Sequence, residues 1–228
     1  MNPLPEQARE LSRALAAELL RRDAIKINLQ TPFLLTSGNY SPIYINCRQL
    51  ISWRSAVKMI TAAASLQMEL RGCAVDVVAG GETAGIPFAA FLADALDKPM
   101  IYVRKAVKGH GTASRVEGVL DGGSRVLLFE DLITDGLSKI SFIKAIRDGA
   151  GIVEETLVLL DRQQGGSAML AQHGVRLTAL TDIELVLGVA SDWGLLESSD
   201  IDSVRGYLAS PSEWHAKRGL PYSPLEAA

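Results

Sequence analysis

Hydrophobic residues in this chain recur at two alternating spacings, and the alternation predicts helices and strands in turn. Apolar positions three and four residues apart are typical of amphipathic helices; they mark residues 6–22, 54–70, 85–96, the stretch with Ile140, Ile143 and Ile146, residues 167–172, and segments up to about 208. Stretches typical of strands occupy residues 75–79, 100–103, 126–129, 153–160 and 175–180, and residues 126–129 form a continuous apolar run that suits a buried strand. This order predicts an α/β fold with a parallel sheet and right-handed crossovers.

The two ends of the chain do not follow this alternation. Residues 25–35 are β-like and interrupted by proline, residues 36–42 form a turn cluster, and residues 43–47 predict a short strand. Pro211, Trp214 and Pro221 predict a packed C-terminal extension. A chain of 228 residues can bury roughly 70% of its unfolded surface, so we expect one domain over residues 1–228.

Charge and cysteine content narrow the class of protein. The formal net charge of −3 gives no reason to expect nucleic acid or a membrane as partner. Cys47 and Cys73 lack metal-ligand spacing, which is typical of reduced thiols in a cytosolic protein. The N-terminus has no signal pattern and no apolar run is long enough to span a bilayer. We therefore expect a soluble cytoplasmic protein.

The stretch from Arg125 to Lys139 carries the most chemistry. Its predicted strand is followed by an acid pair, Glu130 and Asp131, then by a polar turn (residues 134–138) and a helix. Backbone N–H groups at such a turn suit a phosphate, whereas carboxylates suit vicinal hydroxyls or a hydrated Mg²⁺. A sugar phosphate would satisfy both. The alternative is that the acids simply end a strand and that Asp135 or Ser138 caps the helix.

Two further turns follow predicted strands and should meet the polar turn at the carboxyl edge of the sheet. The glycine turn (residues 80–85) would let a backbone approach pyrophosphate closely. The basic loop (residues 104–111) concentrates Arg104, Lys105, Lys108 and His110, which could neutralise a departing anion. Residues 112–119 have little apolar content and predict a mobile lid closing over 112–118. The alternative for the glycine turn is a tight strand–helix connection. The alternative for the basic loop is a solvated charged loop.

These motifs resemble the type I phosphoribosyltransferase family. The acid pair and polar turn are similar to that family's signature for phosphoribosyl pyrophosphate (PRPP). The basic loop resembles the sequence Arg-Lys-x-x-Lys-x-His-Gly of the branch that acts on orotate, and it matches through Gly111. The resemblance spans residues 31–162. It implies a type I phosphoribosyltransferase-like parallel sheet flanked by helices, with an N-terminal helix and a small hood over residues 1–50 and a PRPP-binding core over residues 51–228.

The resemblance also implies a reaction, in which the 5-phosphoribosyl group passes from PRPP to N1 of orotate in UMP biosynthesis. Implied catalytic residues are Lys105, Asp131, Glu130 and His110. Implied substrate contacts are Arg104, Lys108, Gly81 and Glu82 for pyrophosphate, Thr134, Asp135, Gly136, Leu137 and Ser138 for the 5′-phosphate, and Arg162, Thr134 and Tyr44 for the base. Mg²⁺ would bind through substrate oxygens and water, with no metal ligand assigned in the chain. The loop of one subunit would enter the neighbouring site of a homodimer.

The chain departs from the family pattern at several positions. Family members often carry lysine at the positions of Thr36 and Ala84, and arginine at the position of Asn39. In the polar turn they usually have small residues where this chain has Asp135 and Leu137. Tyr44 could pack in a core instead of stacking on a base, and Arg162 could form a surface ion pair. His173 and His215 have no neighbouring ligand set and are interpreted as structural. Two other functions stay open: transfer to another nucleobase, and PRPP sensing without catalysis.

Overall fold

The structure is a computed structural model that describes residues 5–106 and 114–223. Its helices are α1 (Glu6–Arg21), α2 (Arg54–Leu70), α3 (Gly85–Leu96), α4 (Leu137–Asp148), α5 (Gly166–Gln172), α6 (Ile183–Asp192), α7 (Ser198–Ala209) and α8 (Pro211–Ala216), with a 3₁₀ helix at Cys47–Ser52. Its strands are β1 (Ile25–Ile27), β2 (Phe33–Leu34), β3 (Tyr40–Ser41), β4 (Ile43–Ile45), β5 (Val77–Gly81), β6 (Met100–Val103), β7 (Val116–Glu117), β8 (Arg125–Ile133), β9 (Ile152–Asp161) and β10 (Arg176–Asp182). Within these ranges no helix is long and apolar enough to cross a membrane.

Six strands form the central sheet, in the order β10-β9-β8-β5-β6-β7. All neighbouring pairs are parallel except β6 and β7, which are antiparallel. The predicted α/β fold with a parallel sheet is therefore confirmed. The chain leaves β5 toward β6 on one side and continues from β8 through β9 to β10 on the other, so the strand order reverses between β5 and β8. In such sheets ligands bind at the carboxyl edge beside this reversal.

The core lies on both faces of the sheet, which is why its strands contain apolar runs such as residues 126–129 of β8 and 157–160 of β9. Along β8, Leu127 and Phe129 belong to the core under α1, α2, α3 and α6, while Val126 and Leu128 belong to the core under α4 and α5. Because side chains alternate along a strand, the next two residues, Glu130 and Asp131, also point to opposite faces.

Two details differ from the sequence predictions. β8 does not end at Phe129 but continues to Ile133, because its ladder with β9 pairs Glu130 with Val158 and Ile133 with Asp161. The acid pair therefore lies inside the strand. The predicted lid is wrong at its C-terminal part, since β7 pairs Val116 with Val103 and adds this segment to the sheet edge.

The N-terminal hood and the C-terminal extension (α7, α8 and residues 217–223) are joined to each other. The Asn39 side chain donates to Ser223 O at 2.7 Å and accepts from Ser223 N–H at 2.8 Å. His215 is fully buried, and its Nε2 accepts the Tyr40 N–H at 3.0 Å. Trp214 is also buried and packs edge-on against Tyr207. The predicted packing of the C-terminal segment is confirmed.

Candidate active site

Four chain segments meet at the carboxyl edge of the sheet. The registers place Gly81 opposite Val103, Gly80 opposite Phe129, and Ile133 opposite Asp161. The glycine turn, the start of the basic loop, the acid pair with its polar turn, and Arg162 therefore emerge side by side. The sequence prediction that the three turns share one edge is confirmed by the strand pairing, and Arg162 lies at the same edge.

Glu130 is held by protein groups on both of its carboxylate oxygens. Oε1 accepts the Gly81 N–H at 2.7 Å, and Oε2 lies 3.2 Å from the Lys139 ammonium. The residue is only 4% exposed, and burial raises the pKa of its carboxyl above the ordinary value despite the opposing charge of Lys139. In this arrangement Glu130 is turned away from solvent and toward the glycine turn.

Asp131 lies on the other face of β8, beside the hood. Its Oδ1 accepts the Leu132 N–H at 2.9 Å, and its carboxylate is near Cys47 and Arg48 at the start of the 3₁₀ helix. Burial is the largest influence and raises the pKa of Asp131, while Lys139 acts in the opposite direction. Of the two acids, Asp131 has the fewer protein contacts and so the freer oxygen for a ligand.

The polar turn leads directly into α4. Gly136 precedes the helix with φ of +88°, a left-handed conformation that favours glycine. Asp135 Oδ1 accepts the Leu137 N–H at 3.0 Å, so a carboxylate already occupies one N–H of the turn. Leu137 and Ser138 are exposed, and Thr134 is half-buried. The turn offers the N–H-rich helix start that an anion needs, with an acid side chain in competition.

The glycine turn is packed tightly against Glu130. A Cβ added at Gly85 would lie 1.9 Å from Glu130 Oε1, so a side chain there would displace the carboxylate. Glu82 accepts the Lys105 N–H with Oε2 at 2.8 Å, and its own N–H donates to Val103 O. The glycine turn thus fixes the direction in which the basic loop leaves β6.

The described part of the basic loop begins a hairpin with β7. The Arg104 N–H donates to Arg115 O at 2.9 Å, and Arg104 Nη1 lies 3.6 Å from Glu117 Oε1. The Arg104 side chain therefore faces β7, whereas Lys105 is exposed. Lys108, His110 and Gly111 lie outside the described residues, so their predicted roles stay predictions.

Arg162 follows β9 and is mostly buried. Its N–H donates to Ile133 O at 3.0 Å, its guanidinium faces the Tyr207 hydroxyl, and burial lowers its pKa. Nε is buried and lacks a hydrogen-bond partner, and Arg162 forms no ion pair with a described residue. The surface-pair alternative is not observed. An unpaired buried donor is costly, and a planar ligand carbonyl or carboxylate could satisfy this one.

The hood places Tyr44 on β4 with its side chain exposed, in contact with Phe33 at 5.7 Å between ring centroids. The alternative of Tyr44 as a core residue is therefore not observed. Asn39, where family members often have arginine, is used in the contact with Ser223. Thr36 is exposed.

Sequence reasoning missed three basic residues that surround the acid pair and the basic loop. Lys139 pairs with Glu130, and Arg48 faces Asp131. Arg115 donates to Arg104 O at 2.7 Å and also bonds Ser141 on α4. The one available signal was a lysine inside the first turn of a helix, where positive charge is unfavourable and so requires a local partner.

Known proteins resemble the chain in sequence and in fold. No family model matches it. A curated relative from Rhizobium johnstonii named orotate phosphoribosyltransferase is 43% identical over 215 residues, covering 91% of this chain and 93% of the relative. The crystal structure of orotate phosphoribosyltransferase from Aeropyrum pernix is similar, with a TM-score of 0.67 and 35% identity over 80% of this chain and 99% of that chain. The Mycobacterium tuberculosis enzyme of the same name, in complex with PRPP, has a TM-score of 0.61 and 26% identity over 77% and 98% of the two chains.

Proposed function

The chain belongs to the orotate phosphoribosyltransferase family, and we propose that it transfers the 5-phosphoribosyl group of PRPP to N1 of orotate. The products are orotidine 5′-phosphate, the precursor of UMP in pyrimidine biosynthesis, and pyrophosphate. One observation carries the proposal beyond the likeness to relatives. The acid pair, the helix-start turn, the glycine turn and Arg162 all lie at the carboxyl edge beside the reversal of strand order.

The proposed roles follow the charges that develop in the reaction. Breaking the bond at the anomeric carbon leaves positive charge on the ribose and negative charge on pyrophosphate. Asp131 contacts the ribose hydroxyls and lies near the developing cation. Lys105 and Arg104, with Lys108 and His110, stabilise the departing pyrophosphate, together with Gly81 and Glu82 of the glycine turn. A closed basic loop excludes water.

The remaining substrate groups are assigned to the neighbouring segments. The 5′-phosphate binds at the polar turn through residues 134–138, where Asp135 must give up the Leu137 N–H. Arg162 donates to orotate, for which its unpaired Nε supplies the supporting observation. Thr134 and the exposed ring of Tyr44 complete the base site. Glu130 is the second acid predicted to hold the ribose hydroxyls, and the Gly81 N–H and the Lys139 ammonium contact its carboxylate.

We propose Mg²⁺ as an ion that enters with PRPP. Among the described residues, no group of three or more His, Cys, Asp or Glu side chains is placed to hold a metal ion. The ion would take its ligands from pyrophosphate and ribose oxygens and from water, and we assign it no protein ligand. When bound it would neutralise part of the pyrophosphate charge.

The assembly and cellular setting are proposals of the same kind. We propose a homodimer in which the basic loop of one subunit enters the site of the other, in the cytoplasm. We also propose a single domain, with the N-terminal helix and hood over residues 1–50 and the core and C-terminal extension over residues 51–228. Neither nucleic acid nor a membrane is proposed as a partner, because the chain has a net charge of only −3.

The test of the function is an ultraviolet assay with orotate, PRPP and Mg²⁺, following the loss of orotate absorbance and omitting each component in turn. Loss that requires all three components is the expected result. If orotate absorbance does not fall but a panel of nucleobases shows turnover with another base, that base replaces orotate as the proposed substrate. PRPP binding by calorimetry without any turnover would favour a PRPP sensor.

A further inference from the structure

Lys139 is a buried lysine that the proposed reaction does not yet use. It lies in the first turn of α4 and is 7% exposed. Its ammonium is 3.2 Å from Glu130 Oε2, and both side chains are largely removed from solvent. A lysine at this position also opposes the positive end of the helix dipole. A buried charge in such a place requires a partner of opposite charge, and Glu130 is that partner.

The pair is also tied to the glycine turn. The second oxygen of Glu130, Oε1, accepts the Gly81 N–H at 2.7 Å. Gly81 and Gly85 leave no room for a Cβ beside this carboxylate. Lys139 on α4, Glu130 on β8 and Gly81 at the end of β5 therefore form one continuous contact across three elements, and Glu130 has no oxygen left without a protein contact.

The charges around the pair explain why Glu130 needs Lys139. Among the described residues, the charged groups that face Glu130 are Lys139 from α4 and Asp131 from its own strand, and Arg48 faces Asp131 from the hood side. Two buried carboxylates beneath a polyanionic ligand would repel both the ligand and each other. A single ammonium near both acids reduces this repulsion, and it pairs with Glu130 on the face of the sheet opposite to Asp131.

We propose that Lys139 and Glu130 are positioning residues: the ion pair holds the glycine turn in its pyrophosphate-binding conformation and leaves Asp131 as the only carboxylate of the acid pair that contacts ribose. This inference rests on the proposed function, since it assigns a role within the same PRPP site. It changes the predicted role of Glu130 from a ribose contact to a support for the backbone of Gly81.

Steady-state kinetics of three variants of the acid pair distinguishes a carboxylate that contacts ribose from one that supports the backbone of Gly81. Glu130→Gln keeps an oxygen that can accept the Gly81 N–H but loses the ion pair with Lys139, so kcat should fall less than tenfold while the KM for PRPP rises. Asp131→Asn should lower kcat by more than a hundredfold, because its charge faces the reacting carbon. Glu130→Ala removes the Gly81 acceptor and should raise the KM for PRPP about tenfold, with a smaller change in kcat. An equal loss of kcat in Glu130→Gln and Asp131→Asn would overturn the inference.

Lys139→Met tests the ammonium itself, with Lys144→Met as the matched control on the exposed side of the same helix. The KM for PRPP should rise about tenfold in Lys139→Met and stay at the parent value in Lys144→Met. Removing the ammonium also raises the pKa of Glu130, so the acid limb of the kcat/KM profile for PRPP should move to higher pH. A merely structural lysine would not move that limb.

The double variant Lys139→Met/Glu130→Gln keeps the test decisive if Lys139→Met alone fails to fold. It has no buried unpaired charge, so it should fold, and the acid limb that moves in Lys139→Met should be absent because residue 130 no longer titrates. If the parent protein is active, an unchanged KM for PRPP together with an unchanged acid limb in Lys139→Met would refute the inference. A parent without turnover would instead refute the proposed function, and calorimetric PRPP binding to parent and Lys139→Met would then test the pair separately.

Discussion

Asp135 is the residue whose charge conflicts most directly with the proposed ligand. Its carboxylate accepts the Leu137 N–H at the start of α4, where a phosphate would also be attracted by the free N–H groups and the helix dipole. The same negative charge that stabilises the helix start in the absence of ligand must therefore repel a phosphate. Stability and substrate binding make opposite demands on this side chain.

Asp135→Asn should separate these two demands. The amide oxygen can still accept the Leu137 N–H, but the charge is gone, so the KM for PRPP should fall about two- to tenfold at low salt. The difference should shrink at high salt, because exposed charges are screened. Loss of the favourable dipole interaction should lower the free energy of unfolding by about 0.3–1 kcal/mol. Kinetics at two salt concentrations and urea denaturation measure both effects.

Asp148→Asn serves as the control for a charge change on the same helix, since Asp148 is exposed at the other end of α4 and pairs with Lys144. It should leave the KM for PRPP unchanged at either salt concentration. A KM for PRPP that is the same or higher in Asp135→Asn at both concentrations would show that the carboxylate is not a competitor of the phosphate.

At the scale of elements, the sequence predicted the parts of the fold in which local pattern and burial agree. β8 and β9 each contain an apolar run, at residues 126–129 and 157–160, because helices cover both faces of the sheet, and the alternation of strands with helices defines the parallel order. The end of β8 was not predictable in the same way. Two adjacent acids such as Glu130 and Asp131 are typical of the exposed end of a strand. Glu130 nevertheless lies inside β8, because Lys139 and Gly81 satisfy its charge and hydrogen bonds.

Contacts between distant segments were also beyond the sequence pattern. β7 has only two residues, and it becomes a strand because it pairs with β6. The hood and the C-terminal extension are joined by a contact between residues 184 positions apart, Asn39 and Ser223. Neither residue belongs to a periodic pattern, so the sequence predicted a packed extension without its partner. The candidate site was more predictable, because its turns follow the strands that bring them together.

Asn39→Ala tests how firmly the C-terminal extension holds the hood. Asn39 is 6% exposed and makes two hydrogen bonds with the Ser223 backbone, so the change should lower the free energy of unfolding by about 1–3 kcal/mol. Limited proteolysis should cut the C-terminal segment sooner than in the parent. Asn46→Ala is the control, because the Asn46 side chain makes one exposed contact with Arg48; its effect should stay within about 0.5 kcal/mol. Equal effects of the two changes would contradict a hood held by Ser223.

At the scale of the whole molecule, the buried acid pair links stability to pH. Burial raises the pKa of Asp131 above its ordinary value. A carboxyl with a higher pKa in the folded than in the unfolded chain costs stability once ionised, and this cost appears as the pH rises from about 4 through the folded pKa. Asp131→Asn removes the cost, so the variant should be more stable at pH 8 by about 0.5–2 kcal/mol and differ little at pH 4. Urea denaturation at both values measures this, and a less stable variant at pH 8 would contradict it.

Because Asp131→Asn should be inactive but well folded, it is a suitable partner for testing the shared basic loop. Lys105 is exposed at the point where the loop leaves the described residues, so its truncation should cost little stability and most of the turnover. If the loop enters the neighbouring subunit, a heterodimer of Lys105→Ala and Asp131→Asn contains one site with Asp131 from the first subunit and Lys105 from the second. When the two variant chains are present in equal amounts and pair at random, half of the dimers are heterodimers. Each heterodimer has one intact site of two, so co-expression should restore about a quarter of the parent activity. Each variant expressed alone is the control. Activity that stays at the level of the separate variants, although both chains are recovered in one dimer, would mean that each loop serves its own subunit.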